Sequence, residues 1–151
     1  MHPYLLKGVS LGPTVVKRLV ELIPASKIDT ALSDDRFTIR EVVAHLADWE
    51  VLFRARMELA HSTPGSPITT YDEGERAIER NYSELDLQEQ LDLYAAERAK
   101  TVAFLSSLTP SDFRLTYVHP AMGVMVIEDQ ANMLVGHDMY HVEQLAAYLN
   151  G

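Results

Sequence analysis

The chain has 151 residues, 47% of them hydrophobic and 23% charged, which indicates one globular domain spanning residues 1–151. The absence of cysteine excludes disulfides, thiolate zinc sites and a cysteine nucleophile, and a net charge of −9 without a Lys/Arg cluster argues against nucleic-acid binding. No apolar run approaches the ~20 residues that cross a bilayer, and the N-terminus does not resemble a signal peptide, so we expect a soluble, cytoplasmic protein without a membrane partner.

The first predicted helix contains Pro13, a residue that suits a first helical turn, and its apolar pairs repeat at helical spacing until Pro24. An earlier start at Leu5 is weakened by two intervening glycines. Residues 25–36 are polar and are predicted to form a connector.

The second helix has the clearest start. Thr38 is a predicted N-cap, and Glu41, three residues later, completes a capping box. One apolar stripe then runs from Ile39 to Ala60. Residues 61–82 contain prolines and glycines and predict a loop that is long for a compact domain. Such a loop can carry the chain along a bundle, so the second and third helices need not be antiparallel.

The third helix is predicted to begin at Asp86 as its cap, with Glu89 as box partner, and to end at residues 109–111. Residues 113–125 contain proline and glycine and predict either a short hairpin or an extended crossing. The last helix is predicted over residues 126–149. The sum is an all-α four-helix bundle with a long connection between helices 2 and 3.

Three histidines fall on the apolar faces of these helices. His137 and His141 are four residues apart, so they project from one face of the last helix on adjacent turns. The apolar stripe of that helix passes through both. His45 lies between Val42 and Trp49 on the inward side of the second helix. If the two helices pack side by side, three imidazoles meet, as a three-histidine metal site requires.

The alternative is that these histidines are hydrogen-bonded core residues, which is the commoner role of a single inward histidine. Three adjacent imidazoles are harder to satisfy in that way, because each needs a partner for both ring nitrogens. A divalent ion takes one nitrogen from each ring and leaves the other for a carbonyl or carboxylate. The residues between His137 and His141 are Asp-Met-Tyr, so the HExxH motif of zinc proteases is absent.

Three segments together resemble one family. TIREVVAHLADWE at residues 38–50 is similar to the second helix of the DinB/YfiT-like superfamily, and HPAMG at 119–123 is similar to the turn before its last helix. GHDMYHVEQL at 136–145 matches the H-x3-H of that helix, including the glutamine three residues later. The resemblance spans nearly the whole chain.

The resemblance implies a bundle of the DinB type with a divalent metal, commonly nickel or zinc, held by His45, His137 and His141. It also favours a homodimer, with Val16 or Val142 as candidate contacts. Some relatives are S-transferases or isomerases that use bacillithiol or mycothiol, which implies a low-molecular-weight thiol as a possible second cofactor. A metal with three protein ligands and an open position can bind a thiol as thiolate or activate water.

Two residues beside His45 are candidates for a role in the site. Asp48, one turn further along the helix, is the predicted catalytic residue through a hydrogen bond to a ligand or substrate, and a solvated helix charge is its alternative. Trp49 is predicted to belong to the core, with a pocket wall as the alternative.

Other polar residues have weaker assignments. His119 is interpreted as a surface-turn histidine, and a border of the metal cavity is the alternative. Gln144 is expected to face outward or toward a dimer mate. Arg54 and Arg56 could attract an anionic thiol cofactor, although scattered helical arginines are usually only solvated.

Three functions follow from these patterns. The leading hypothesis is a metal-dependent enzyme acting on a small molecule, either a thiol S-transferase or a hydrolase that uses metal-activated water. The second is a non-catalytic metal-binding or stress-response protein whose ion is structural. The third is a bundle with histidines in its core that works through its dimer face.

Overall fold

The computed structural model describes residues 1–149, and this part of the chain is mostly helical. Its α-helices are α1 (Pro3–Leu22), α2 (Ile39–Ser62), α3 (Glu73–Glu79), α4 (Leu87–Ser107) and α5 (Ile127–Ala147). The four long helices form the predicted bundle, in which α2 packs mainly against α4 and α1 against α5. No helix in this range is long and apolar enough to cross a membrane.

The starts of α2 and α4 lie where the capping residues predicted them. The Thr38 backbone N–H donates to Glu41 Oε2 over 2.8 Å, and the Glu41 N–H donates to Thr38 Oγ1 over 3.3 Å, which completes the capping box. Asp86 accepts from the Glu89 N–H over 2.9 Å. Local signals therefore fix both helix starts, because a cap satisfies backbone donors that the helix itself leaves unpaired.

Helix α1 begins ten residues before Pro13, so the prediction of Pro13 in the first turn is wrong. A proline inside a helix has no N–H to offer, which leaves the carbonyl four residues earlier without its helical donor. Here that carbonyl belongs to Val9, and Arg98 Nη1 of α4 donates to it over 2.7 Å. The proline is tolerated because a neighbouring helix supplies the missing hydrogen bond.

The two connections contain short elements. Residues 61–82, predicted as a loop, include helix α3 and strand β1 (Ser66–Pro67). Strands β2 (Thr116–His119) and β3 (Gly123–Val126) form an antiparallel hairpin, which confirms the hairpin alternative. Strand β1 pairs in parallel with β2 and completes a three-stranded sheet. This small sheet lies against α2 and holds the connections over one side of the bundle.

The core of the bundle is divided along its length. One apolar cluster includes Val16 and Leu145, and the other includes Val9 and Leu134. On α1, α4 and α5 a polar or glycine position separates the two clusters, at Gly12, Arg98 and Asp138; on α2, Glu50 lies close to the boundary, directly after Trp49 of the second cluster. The structure thus places charged groups in the middle of the bundle, directly beside the histidines.

Candidate metal centre

The three predicted histidines meet at one point. His45 of α2 is fully buried, and its ring centroid lies 4.9 Å from that of His137 and 4.9 Å from that of His141, both on α5. The Nε2 atoms of His45 and His137 are 2.9 Å apart. One nitrogen from each ring lies within 4.8 Å of the others. The packing of α2 against α5 therefore assembles the predicted ligand set.

Gln144 fixes the orientation of one ring. Its Nε2 donates to the Phe37 carbonyl over 3.1 Å, so its Oε1 is the acceptor for His141 Nδ1 at 3.1 Å. The proton of neutral His141 therefore lies on Nδ1, and its Nε2 keeps a free lone pair. The expectation that Gln144 faces outward is wrong, because it is buried. Its spacing of three residues from His141 was the signal that could have placed it on the same helix face.

The surroundings of the histidines are aromatic. The rings of Phe37 and Trp49 lie 5.4 and 5.3 Å from His45. Burial, and then repulsion from the other two rings, lowers the pKa of His45 to about 2. Burial, and then repulsion from His141 and Arg98, lowers the pKa of His137 to about 3. Burial also lowers the pKa of His141. All three imidazoles are therefore neutral near pH 7, the form that binds metal.

A second buried polar cluster lies beside the histidines. Arg98 donates to Glu50 Oε2 over 2.7 Å and to Asp138 Oδ2 over 2.6 Å, and the Tyr94 hydroxyl donates to Asp138 Oδ1 over 2.6 Å. Thr101 donates to the other Glu50 oxygen over 2.6 Å. One guanidinium thus contacts two carboxylates. The cluster acts on the histidines in both directions, since Arg98 lowers the pKa of His137 whereas Asp138 acts to raise that of His141.

The residues present fit a divalent ion. Two ligands at about 2.1 Å from a metal and at a right angle have donor atoms about 3.0 Å apart, close to the 2.9 Å between the His45 and His137 nitrogens. Without an ion, that contact requires a proton on one of the two. Among residues 1–149, buried His45 Nδ1 also has no hydrogen-bond partner. Three imidazoles without a thiolate suit zinc, nickel or copper.

Two cavities open beside the histidines. The His137 cavity, of about 290 Å³, is lined by Trp49, Phe53, Arg56, Thr70, Tyr71, Glu73, His119, Met133 and His137. The His141 cavity, of about 200 Å³, is lined by Asp35, Arg36, Phe37, Glu73, Gly74, Tyr140, His141 and Gln144. A small molecule can therefore approach the histidine cluster from either side.

Glu73 lines both cavities, which places it at the end where the histidines lie. It is the first residue of α3, in the segment that the sequence predicted as a loop. Glu73 is an exposed residue, but desolvation of its carboxyl group, and then the neighbouring Asp72, raises the pKa of that group. No sequence motif marks this residue, because its place near the cluster depends on how α3 docks against α2.

Asp48 is held by α3 rather than by a ligand or by solvent. It accepts hydrogen bonds from Arg76 Nε, from Arg76 Nη2 over 2.9 Å and from the Tyr82 hydroxyl over 2.7 Å. Burial opposes its ionisation, but these bonds outweigh it and hold the pKa of Asp48 below its usual range. Asp48 does not line either cavity. Its contacts anchor the helix that carries Glu73.

The remaining candidates divide between the cavity and the surface. Trp49 and His119 line the His137 cavity, so His119, although it lies at the hairpin turn, also borders the cavity as the alternative interpretation had it. Its Nδ1 accepts the N–H groups of Ala121 and Met122 over 3.1 and 3.2 Å. Arg54 pairs with Glu97 over 2.6 Å and lies outside both cavities.

The sequence matches the family model of the DinB superfamily over residues 11–145. The chain belongs to the DinB superfamily. The Bacillus subtilis protein YfiT, provisionally named a metal-dependent hydrolase, is 28% identical over 136 residues, which cover 88% of this chain and 75% of YfiT. A similarly named protein of Oceanobacillus iheyensis is 27% identical over 135 residues, covering 89% of this chain and 78% of that protein.

Solved structures agree with this assignment. The structure of YfiT, described as an unusual four-helix bundle, superposes with a TM-score of 0.89 at 25% identity, covering 96% of this chain and 83% of YfiT. A mycothiol-dependent maleylpyruvate isomerase gives a TM-score of 0.76 at 16% identity over 94% of this chain and 59% of the isomerase. The latter shows a shared fold only. The relatives and the histidine cluster together support a metal-dependent function of the DinB type.

Proposed function

We propose that this protein is a metal-dependent enzyme, in which His45, His137 and His141 hold a divalent ion, nickel or zinc, next to a small-molecule cavity. The observation that carries the proposal is the convergence of three neutral imidazoles beside a carboxylate and two cavities. A site that only joined two helices would not need the open space. When bound, such an ion lowers the pKa of a ligand water or thiol and so supplies a nucleophile near neutral pH.

The chain's own residues supply the remaining functions. The carboxylate of Glu73, made more basic by desolvation and Asp72, accepts the proton that the nucleophile loses. Trp49 and Phe53 form an apolar wall that limits water beside the reacting group. The hydrogen bond from His141 Nδ1 to Gln144 holds that ring in the orientation of a ligand.

The predicted catalytic role of Asp48 becomes a positioning role in this proposal. Asp48 binds Arg76, which lies three residues after Glu73 on the short helix α3. Releasing Arg76 would let the first residue of α3 move relative to the histidines. We therefore expect Asp48→Asn to keep the metal and to lower kcat more than it raises KM, because substrate binding groups stay in place.

Metal content is the first test. Protein purified without a nickel column should contain about one divalent ion per chain by elemental analysis. His45→Ala, His137→Ala and His141→Ala should each remove it. His61→Ala, which changes an exposed histidine on the same helix as His45, is the matched control and should keep it. Full occupancy in any of the three ligand variants would contradict the site.

Turnover is the second test. The metal-loaded protein should be screened for hydrolysis of small esters and amides, and for thiol transfer to an electrophilic acceptor. Glu73→Gln should keep the metal and lose most turnover, whereas Glu75→Gln on the same helix should retain it. A cobalt-loaded sample should change its absorption on adding a thiol if the thiol binds the ion directly. Thiol turnover with this change supports the S-transferase, and hydrolysis without it supports the water-activating enzyme.

The rival function is a non-catalytic metal-binding protein with a structural ion. It predicts full metal occupancy and no spectral response of the cobalt form to any thiol or substrate analogue. Loss of the ion would then lower the free energy of unfolding without any other consequence. The cavities beside His137 and His141 favour the catalytic proposal over this one.

We also propose a homodimer formed through α1 and α5. An almost wholly apolar groove of about 200 Å³ lies on this face, lined by Gly8, Leu11, Gly12, Val15, Val135, Asp138, Met139 and Val142. Leu11 and Met139 are 54% and 62% exposed. The predicted contact through Val16 is wrong, because Val16 is fully buried. Light scattering should give twice the 17.0 kDa of one chain, and Leu11→Glu should give the single-chain mass.

A further inference from the structure

One buried arginine has no partner. Arg56 of α2 is only 6% exposed, and its guanidinium lies 5.3 Å from the centre of the Phe53 ring. No ion pair or side-chain hydrogen bond among residues 1–149 involves it. Burial lowers its pKa from the ordinary arginine value, yet the group stays charged. The guanidinium lines two cavities without a counter-charge, so an anionic ligand in a cavity can supply the missing partner.

The other buried arginines show that Arg56 is an exception. Arg98 contacts two carboxylates, Arg76 contacts Asp48, and partly buried Arg54 contacts Glu97. Each of these pairs joins two elements of the bundle, which explains the arginine as a structural residue. Arg56 has no carboxylate partner, and among the partly buried arginines of residues 1–149 only Arg36, which lies against the Tyr140 ring, shares this.

Arg56 lines the His137 cavity but not the His141 cavity. It also lines an adjoining cavity of about 210 Å³ that contains no histidine and no acidic residue, formed by Leu52, Ala55, Leu59, Pro67, Ile68, Thr69 and Tyr71. Glu73, by contrast, lines the His141 cavity as well and so lies at the histidine end. The His137 cavity is therefore polarised, positive at Arg56 and negative at Glu73.

His119 adds a second donor to the positive end. Its Nδ1 accepts two backbone N–H groups, so the neutral ring carries its proton on Nε2 and can donate it to a ligand. Desolvation and the charge of Arg56 lower the pKa of His119, which is consistent with two neighbouring groups. The hairpin turn thus fixes the tautomer of a histidine in the cavity wall.

We propose that Arg56 and His119 bind the carboxylate of a small anionic substrate, whose reacting group then faces His137 and Glu73. The position of the reacting group depends on the proposed function, whereas the carboxylate site itself does not. An arginine beside a second N–H donor matches a carboxylate, which accepts through two oxygens. At about 290 Å³ the cavity suits a ligand smaller than a typical drug molecule. Molecules with a negative group at both ends are disfavoured by Glu73.

Trp49 permits a test that needs neither metal nor turnover. It is the one tryptophan in the chain, and it lines the same cavity. Its fluorescence should be followed while metal-free protein is titrated with cyclohexanecarboxylate or with the neutral cyclohexanecarboxamide. We expect a saturable change with the acid and at least 10-fold weaker binding of the amide.

Variants assign this binding to Arg56. Arg56→Met should weaken carboxylate binding at least 10-fold, and Arg56→Lys should restore part of it. Arg36→Met, which alters an arginine of the His141 cavity, is the matched control and should bind as the unaltered protein does. Arg56→Met should fold normally, since it removes an unpaired buried charge, and circular dichroism checks this.

Three results would overturn the proposal: equal binding of acid and amide, unchanged binding by Arg56→Met, or tighter binding of cyclohexylphosphonate than of the carboxylate. Absence of any saturable response would do the same. If Arg56-dependent binding is seen but the metal-loaded protein shows no turnover, the carboxylate site is supported and the proposed catalysis fails.

Discussion

Two polar clusters lie side by side in the same bundle, and they are built in opposite ways. Around Arg98, each charged group contacts an opposite charge, with carboxylates from two other helices, although Arg98 Nε is buried without a hydrogen-bond partner among residues 1–149. Around His45, nitrogen lone pairs face each other, a ring nitrogen has no partner among residues 1–149, and cavities adjoin the cluster. A cluster of paired charges stabilises the fold, whereas lone pairs that face each other beside a cavity are suited to bind something else.

The largest expected effect comes from breaking the ion pairs of the Arg98 cluster. Arg98→Met leaves Glu50 and Asp138 buried without a counter-charge, so it should lower the free energy of unfolding by about 3–5 kcal/mol. Urea denaturation of the metal-free protein measures this loss. Lys17→Met removes an exposed pair with Glu21 and should change the value by less than about 1 kcal/mol. Similar small losses in both variants would contradict the structural role of Arg98.

Acid should act on the other cluster. Unfolded histidines take up protons below about pH 6.5, whereas folded His45 and His137, with pKa values of about 2 and about 3, do not. The unfolded state therefore gains protons as pH falls, and stability falls with it. From pH 6.5 to 5 the metal-free protein should lose about 1.6 kcal/mol for each of the two residues. Urea denaturation at both pH values measures this change, and His137→Asn should show about half of the loss expected for His45 and His137 together. A stability that does not change with pH would contradict the burial of neutral rings.

Close packing around the Arg98 cluster gives the third test. A Cβ added at Gly12 would lie 2.2 Å from Asp138 Oδ2 and 2.8 Å from Arg98 Nη1. Gly12→Ala should therefore lower the free energy of unfolding by about 1–3 kcal/mol, which a lower melting temperature would show. Gly136→Ala is the control, since its Cβ would meet nothing within 4 Å, and it should stabilise α5 by about 0.5–1 kcal/mol. An unchanged stability of Gly12→Ala would mean that Arg98 and Asp138 can move to make room for the added methyl group, which contradicts close packing around them.

The smallest expected effect concerns Gln144, which orients one ring of the histidine cluster. Gln144→Leu removes the acceptor that orients His141, so metal affinity should fall about 10–100-fold while the metal-free protein keeps its stability within about 1 kcal/mol. Competition with a chelator measures the affinity. Glu143→Gln, at the exposed neighbouring position, should bind metal normally. Equal affinities in the two variants would show that Gln144 does not set the ring orientation.

Much of the fold follows from local signals in the sequence. The caps at Thr38 and Asp86 predict two helix starts because each cap acts over three residues. Helical spacing places His137 and His141 on one buried face, and the stripe of α2 does the same for His45. These predictions need only the neighbouring residues, so one sequence suffices for them.

The remainder depends on contacts between distant segments. Nothing near Glu73 or Arg56 in the sequence shows that these two residues line one cavity, because α3 and the hairpin bring its walls together. Asp48 was predicted to act in the site, whereas it binds Arg76, which lies in a segment without helical periodicity. The start of α1 was left open between Leu5 and Pro13 for a similar reason, since the tolerance of Pro13 depends on Arg98.

The hydrogen bond from Arg98 to the Val9 carbonyl also fixes the position of α1 along the bundle axis relative to α4. A regular α-helix presents the same backbone at every turn, so a neighbour could slide by one turn, about 5.4 Å, with little change in backbone contacts. Helix α1 instead has one carbonyl free to accept, and a side chain 89 positions away in the chain takes it. Arg98 also binds Asp138, which is next to His137 on α5. The axial position of α5, and with it that of His137, is therefore coupled through Arg98 to Pro13 in α1, a helix that contributes no ligand.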